Sequence, residues 1–360
     1  MYSDSDLEAA VAAGALSPDA ASALRDYVAN RSGGATVDEE HFRLLTGFND
    51  IFVAIAAAIL LFAVGWIGNA VGPNIDVDGP SPFAGLFVAA TAWGLAEFFT
   101  RKRRMALPSI ILLLAFTGGV LLTAFATFVL AVGEATFENN ERAVALVIAA
   151  SAAIAAGATW LHWRRFRVPI TVAVGAATAV GVALALIASA VGDVPALDDV
   201  MLASALVLGL GVFLFAMRWD SSDRARETRR SDVAFWLHLL SAPLIVHPIF
   251  SLLGLTDGNA TIGEALVVLA VYVLLGITAL AIDRRALLVS ALAYVLFALI
   301  SLFREFGAVE LNIALAAFVI GSGLLLLSAF WHSVRRSVVR PLPPALQARL
   351  PVTDRAVAAA

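Results

Sequence analysis

The chain has 360 residues, of which 61% are hydrophobic and 14% carry a charge. Soluble domains average about 45–50% apolar and about 25% charged residues, so this composition predicts a chain surrounded largely by lipid. The absence of cysteine excludes disulfides, thiolate metal sites and cysteine nucleophiles. A formal net charge of −4 gives no reason to expect a nucleic-acid partner.

The polar N-terminal part predicts a helical hairpin over residues 5–30, within a cytoplasmic domain of residues 1–36 that includes a short linker. Ser5 and Glu8 have capping-box spacing, so each side chain can accept a hydrogen bond from a free amide at the helix start. A hairpin of this kind can simply stabilise or dock the chain, or it can bind a cytoplasmic protein partner.

A turn separates the two predicted helices of the hairpin. Gly14 is placed to end the first helix in a left-handed turn. Ser17 is an expected N-cap for the second helix, because Pro18 follows at the first helical position. These signals are local, so the hairpin is expected to form without help from the rest of the chain.

Ten apolar runs follow, each close to the roughly 20 residues that a helix needs to cross the hydrocarbon layer. They predict an all-α polytopic bundle over residues 37–331, since a barrel would instead alternate apolar and polar residues. Residues 332–360 are expected to form a disordered cytoplasmic tail. The ten runs lie near residues 50–71, 82–100, 107–132, 142–162, 168–191, 199–217, 233–254, 262–282, 285–303 and 309–331.

The basic residues indicate how the bundle is oriented. All but two of the 24 basic residues, Arg142 and Arg304, fall in the termini and in alternate loops. Cytoplasmic loops retain arginine and lysine. The pattern therefore predicts ten spans with both termini in the cytoplasm.

The turn Gly-Ala-Leu-Ser-Pro at residues 14–18, followed by a membrane region beginning near Phe48, resembles the bacterial membrane proteins grouped as domain of unknown function 2157. The resemblance covers the hairpin and the many-helix plan. It implies a multi-pass protein of the bacterial cytoplasmic (inner) membrane. It implies no particular activity, because the family has none that could be assigned to single residues.

The seventh run carries the residues that most suggest a transport site. It contains His238, Ser241 and His247 together with two interior prolines, Pro243 and Pro248. Each proline removes a backbone donor and disrupts the preceding turn, and broken helices build substrate sites in many transporters. One hypothesis is an opened helix in which His247 faces a polar cavity and carries protons. The other is a packing kink in which both histidines find partners inside the protein.

Glu97 is the remaining candidate polar residue. It precedes Arg101 by four residues near the end of the second run, which is a favourable order for an ion pair on a helix. The pair is expected either to anchor the helix at the membrane interface or to take part in transport.

Small residues at four-residue spacing predict where helices pack closely. Ala149, Ala153 and Gly157 share one face of the fourth run. Faces of this kind let two backbones approach each other and gain dispersion contacts.

No motif indicates catalysis. The sequence has no phosphate-binding loop of the Walker type, no zincin helix and no nucleophile elbow, so no enzyme, cofactor or metal site is expected. The first functional hypothesis is a structural or regulatory membrane protein whose cytoplasmic hairpin binds a partner. The alternative is a secondary transporter or channel for a small solute, with its site in the seventh run. A third hypothesis is an enzyme that acts on lipid inside the membrane, but the sequence shows no pair of nucleophile and base for such a reaction.

Overall fold

The computed structural model describes residues 10–24, 48–75, 79–133, 136, 140–192, 194–226, 228–253, 261–305 and 311–353. Within these ranges the chain is α-helical, and ten of its helices are long and apolar enough to cross a membrane. The predicted all-α polytopic bundle is thereby confirmed.

The ten spans and two short helices after them are numbered in chain order. The spans are α1 (Phe48–Val71), α2 (Pro82–Phe99), α3 (Ala106–Val132), α4 (Glu141–Phe166), α5 (Ile170–Val191), α6 (Leu197–Ser222), α7 (Arg229–Leu252), α8 (Ile262–Ile282), α9 (Ala286–Glu305) and α10 (Asn312–Ala329). The short helices are α11 (Trp331–Val339) and α12 (Pro344–Gln347).

The bundle is assembled from helical hairpins. The most extensive packing joins α2 to α3, α4 to α5, and α6 to α7, and α8 packs chiefly on α9. Helix α5 connects the two halves of the bundle by packing on both α6 and α7. The loops that close these four hairpins, together with the chain after α10, carry most of the arginines, and we call this side of the bundle the arginine-rich end.

Burial differs strongly between the spans. Helix α7 is the most enclosed of the ten, whereas α6 and α10 expose most of their surface. Large apolar side chains such as Phe62, Trp66 and Phe318 are exposed along the outside of the bundle. An exposed apolar surface of this extent fits lipid as the surrounding medium.

The described part of the N-terminal hairpin has the predicted turn. Gly14 adopts a φ of 71°, and the Ser17 hydroxyl accepts a hydrogen bond from the Ala20 amide at 3.1 Å. Both local predictions are confirmed, because only glycine enters the left-handed region without a steric penalty. Ser5, Glu8 and the linker lie outside the described residues.

As far as residue 353, the chain after α10 differs from the disordered tail expected over residues 332–360, and residues 354–360 lie outside the described residues. Helices α11 and α12 occupy much of it, and Trp331, Val339 and Leu350 are buried in a core cluster shared with α7, α8 and α9. These three apolar side chains explain the order, since burying each of them stabilises the segment by about 1.5–3 kcal/mol. We call residues 331–353 the C-terminal segment.

Candidate functional site

A buried carboxylate lies where α6 and α7 reach the arginine-rich end. Asp220, in the last turn of α6, has no exposed surface. It pairs with His238 Nε2 at 2.9 Å and with Arg284, whose Nε lies 3.3 Å from the same carboxylate oxygen. Arg284 also donates to the Ser231 carbonyl at 3.2 Å. We call these four residues the Asp220 cluster.

Three separate elements meet in the Asp220 cluster. Asp220 comes from α6, His238 from the third turn of α7, and Arg284 from the α8–α9 loop. The side chains of His238 and Arg284 are almost completely buried. Because an ionised carboxylate only accepts hydrogen bonds, His238 Nε2 carries the donated proton. His238 Nδ1 is buried without a hydrogen-bond partner, so the ring is held through one nitrogen only.

A second carboxylate lies beside the first. Asp283 accepts hydrogen bonds from Arg226 Nη1 at 3.1 Å and from Trp331 Nε1 at 2.7 Å, and it lies 3.6 Å from Arg335 Nε. We call this group the Asp283 cluster. Asp283 and Arg284 are consecutive residues, so one peptide bond joins the two clusters.

Arg335 of the Asp283 cluster and a further arginine, Arg224, hold the end of the C-terminal segment. Arg335 donates to the Pro351 carbonyl at 2.7 Å and to the Val352 carbonyl at 3.1 Å. Arg224, from the α6–α7 loop, donates to the Leu350 carbonyl at 2.8 Å. A path of polar contacts, with the Asp283–Arg284 peptide bond as its one covalent link, therefore runs from the C-terminal segment to His238 inside α7.

Backbone strain is concentrated at the same end. In the described chain, the non-glycine residues with positive φ are Arg104, Arg167, Arg226 and Asp283, with φ between 54° and 58°. One of them lies in each of the four loops that close the hairpins. The left-handed conformation costs an L-residue about 1–2 kcal/mol. For Arg226 and Asp283, the ion pair between them helps to offset that cost.

The structure separates the residues that the sequence grouped in the seventh run. His238 and Ser241 are buried, and the Ser241 hydroxyl donates to the His238 carbonyl at 3.0 Å. His247 lies on the exposed surface, and its Nδ1 is 2.6 Å from the Tyr294 hydroxyl. The two histidines therefore have different partners and different surroundings.

Helix α7 stays continuous through both prolines, Pro243 and Pro248, from Arg229 to Leu252. Pro243 is exposed and Pro248 is buried. Pro248 leaves the Leu244 carbonyl without its usual donor. Helix α6 packs closely against α7 at this carbonyl. A Cβ added to Gly209 of α6 would lie only 2.9 Å from the Leu244 carbonyl oxygen.

Glu97 forms the predicted pair with Arg101 at 3.3 Å, which confirms that contact. Its shorter contacts are with Arg165, from the end of α4, at 2.7 and 2.9 Å. The carboxylate thus joins two neighbouring hairpins at the arginine-rich end, which the spacing with Arg101 alone does not reveal.

Sequence reasoning misses Asp220, Asp283 and Arg284 as site residues. The hydropathy pattern ends the sixth span at residue 217 and starts the ninth at residue 285, so it assigns all three to loops. The available signal is that Asp220 and Asp283 are acidic residues in loops where most charges are basic.

The fold and the apolar surface define the class of the molecule: an all-α, multi-pass membrane protein. In the part of the chain that the structure describes, no three His, Asp or Glu side chains are grouped so as to hold a metal ion. Comparison with known proteins found no matching family model, no matching curated protein and no matching solved structure.

Proposed function

We propose that this chain is a regulatory protein of a bacterial cytoplasmic membrane, without enzymatic activity, in which docking of the C-terminal segment is coupled to helix α7. The observation that supports the proposal is a path of contacts. Polar contacts join the Pro351 carbonyl, Arg335 and Asp283, a peptide bond joins Asp283 to Arg284, and polar contacts continue to Asp220 and His238.

The orientation of the bundle supports a role at the cytoplasmic surface. With the basic loops in the cytoplasm, the C-terminal segment and the N-terminal hairpin of residues 5–30 lie on the same side of the membrane. A cytoplasmic protein partner that binds the hairpin would therefore be on the same side of the membrane as the segment that is coupled to α7.

The energetics of buried ion pairs make the coupling strong. Removing one partner from a buried pair costs about 3–5 kcal/mol, because the other charge is left without compensation. Release of the C-terminal segment would withdraw Arg335 and Trp331 from Asp283, which is bonded directly to Arg284. The Asp220 cluster and the docked segment therefore stabilise each other.

The coupling can be measured with one introduced cysteine, because the natural chain has none. Leu350 is 7% exposed, so Leu350→Cys should react slowly with a water-soluble maleimide. Adding Asp220→Asn should speed that reaction by about tenfold or more, since each 1.4 kcal/mol by which release becomes easier corresponds to a factor of ten. The measurement is the labelling rate of purified protein in detergent.

The matched control is Thr159→Val in the Leu350→Cys background. Thr159 is as buried as His238, but its hydroxyl bonds to Thr117 and Ala155, outside the two clusters. This control should leave the labelling rate unchanged. Equal labelling rates with and without Asp220→Asn, in protein that remains folded, would contradict the coupling.

A secondary transporter for a small solute is the alternative function. It is favoured by the Asp220–His238 pair, whose histidine lies in the most enclosed span, α7, since ionisable groups in membrane helices often belong to proton or solute pathways. Proton-driven solute uptake that disappears in His238→Gln would support this alternative over the regulatory function.

A further inference from the structure

The loops that close the α2–α3 and α4–α5 hairpins, together with the last turn of α4, form a strongly basic surface at the arginine-rich end. Its members are exposed arginines and one lysine: Arg101, Lys102, Arg103, Arg104, Arg164, Arg165 and Arg167. Residues 97–105 and 160–169 contain one carboxylate, Glu97. We call this set of seven the basic surface. Its charge is far from balanced by its own neighbours, so an anionic partner is expected.

The basic surface is built by specific contacts. Glu97 accepts from Arg165 at 2.7 and 2.9 Å and from Arg101 at 3.3 Å, which brings the α2–α3 and α4–α5 loops together. Arg104 and Arg167 both adopt left-handed backbone conformations, with φ of 54° and 55°. The fold therefore concentrates these cations in spite of their mutual repulsion.

Aromatic side chains indicate the depth of the basic surface in the membrane. The Arg103 guanidinium lies 5.5 Å from the Phe98 ring, and the Arg164 guanidinium lies 5.0 Å from the Trp160 ring. Phe98 is 43% exposed and Trp160 is 55% exposed on the outside of the bundle. Amphipathic tryptophan rings at the ends of membrane helices lie at the level of the lipid headgroups, so Trp160 marks that level. Arg164, whose guanidinium lies over the Trp160 ring, reaches the same level.

We propose that the basic surface binds the headgroups of acidic phospholipids. The planar guanidinium presents paired N–H donors that match the oxygens of a phosphate. Basic side chains next to a membrane span are attracted to the negative charge of acidic lipids. The aromatic anchors favour a lipid over a phosphate in solution, because they place the cations where lipid phosphates lie.

The test compares the full-length protein in nanodiscs of phosphatidylcholine alone and of phosphatidylcholine mixed with phosphatidylglycerol. Binding to the folded state raises the melting temperature by mass action, so the mixed nanodiscs should give the higher Tm. High salt should reduce the difference. The triple variant K102Q/R103Q/R104Q removes three basic residues and should bind phosphatidylglycerol about a hundredfold more weakly than the natural chain.

The matched control is R218Q/R229Q/R230Q, which removes three exposed arginines from the α6–α7 connection at the same end of the bundle. It should retain most of the Tm difference between the two lipid compositions. Equal losses in the two variants would overturn the site and leave only general attraction between charges. Equal Tm in the two lipid compositions would overturn lipid binding altogether.

A free phosphate is separated from a lipid headgroup by a further arm of the same experiment. Inorganic phosphate added to the phosphatidylcholine nanodiscs should leave the Tm unchanged. Stabilisation by inorganic phosphate equal to that by phosphatidylglycerol would overturn the proposal in favour of a soluble anion.

Discussion

At the scale of single residues, one buried carboxylate accepts hydrogen bonds from two buried side chains and so connects three elements. Asp220 lies between the imidazole of His238 and the guanidinium of Arg284, with no exposed surface. A buried guanidinium and a buried imidazole N–H both need an acceptor. Leaving such groups unpaired destabilises the folded protein by more than the ion pair itself stabilises it. Asp220 thereby stabilises the packing of α6, α7 and the α8–α9 loop against one another.

The substitution Asp220→Ala should lower the free energy of unfolding by about 3–5 kcal/mol, since it strands Arg284 and His238 inside the bundle. Ser241→Ala is the matched control in α7: its hydroxyl bonds to its own helix, so its loss should cost about 1 kcal/mol. Denaturant unfolding in detergent, with helical content as the signal, measures both. A loss below about 1 kcal/mol for Asp220→Ala would show that the cluster does not hold these elements together.

The residues of this cluster also show what one sequence can and cannot reveal. His238 and Ser241 are visible as candidates because polar residues inside an apolar run are rare. Asp220 and Arg284 lie at the edges of such runs, where a charge normally meets water. Their burial comes from a contact between positions 64 residues apart, and neither hydropathy nor periodicity contains that information.

At the scale of helices, close packing is achieved at particular glycines. A Cβ added to Gly119 of α3 would lie 2.6 Å from the Gly85 carbonyl oxygen of α2. The predicted stripe on α4 is only partly used, because Ala149 is buried while Ala153 and Gly157 are exposed. Four-residue spacing identifies helices that can pack closely. Which face packs depends on neighbours that are distant in the sequence.

We expect Gly119→Ala to destabilise the bundle by about 1–3 kcal/mol, because the added methyl group overlaps backbone that cannot move aside. Gly118→Ala is the matched control, since a Cβ there meets nothing within 4 Å. The control should be neutral or slightly stabilising, as alanine is the better helix former. Thermal unfolding of the two variants side by side measures the difference. Equal stability of the two variants would mean that α2 and α3 are not in backbone contact at this point.

At the scale of the whole molecule, most of the fold is predictable because lipid imposes a simple rule. Every backbone polar group in the hydrocarbon must be satisfied within its own segment, so long apolar runs become helices. All ten predicted runs coincide with helices of the structure. The order of the C-terminal segment is not predictable in this way, because it depends on Arg224, Arg335 and Trp331 meeting partners from distant elements.

The orientation of the molecule leads to the last prediction. Reporter fusions after residues 104, 166, 225 and 340 should report the cytoplasm, and fusions after residues 136 and 196 should report the opposite side. The reason is that arginine and lysine are retained in cytoplasmic loops, and all but two of the 24 basic residues fall in the termini and in the loops predicted to be cytoplasmic. A cytoplasmic signal at 136 or 196 alone would remove two spans from the count of ten, because neither helix beside that loop would then cross the membrane. Reversal of all six signals would keep the ten spans and invert the bundle, which would place the C-terminal segment and the basic surface away from any cytoplasmic partner.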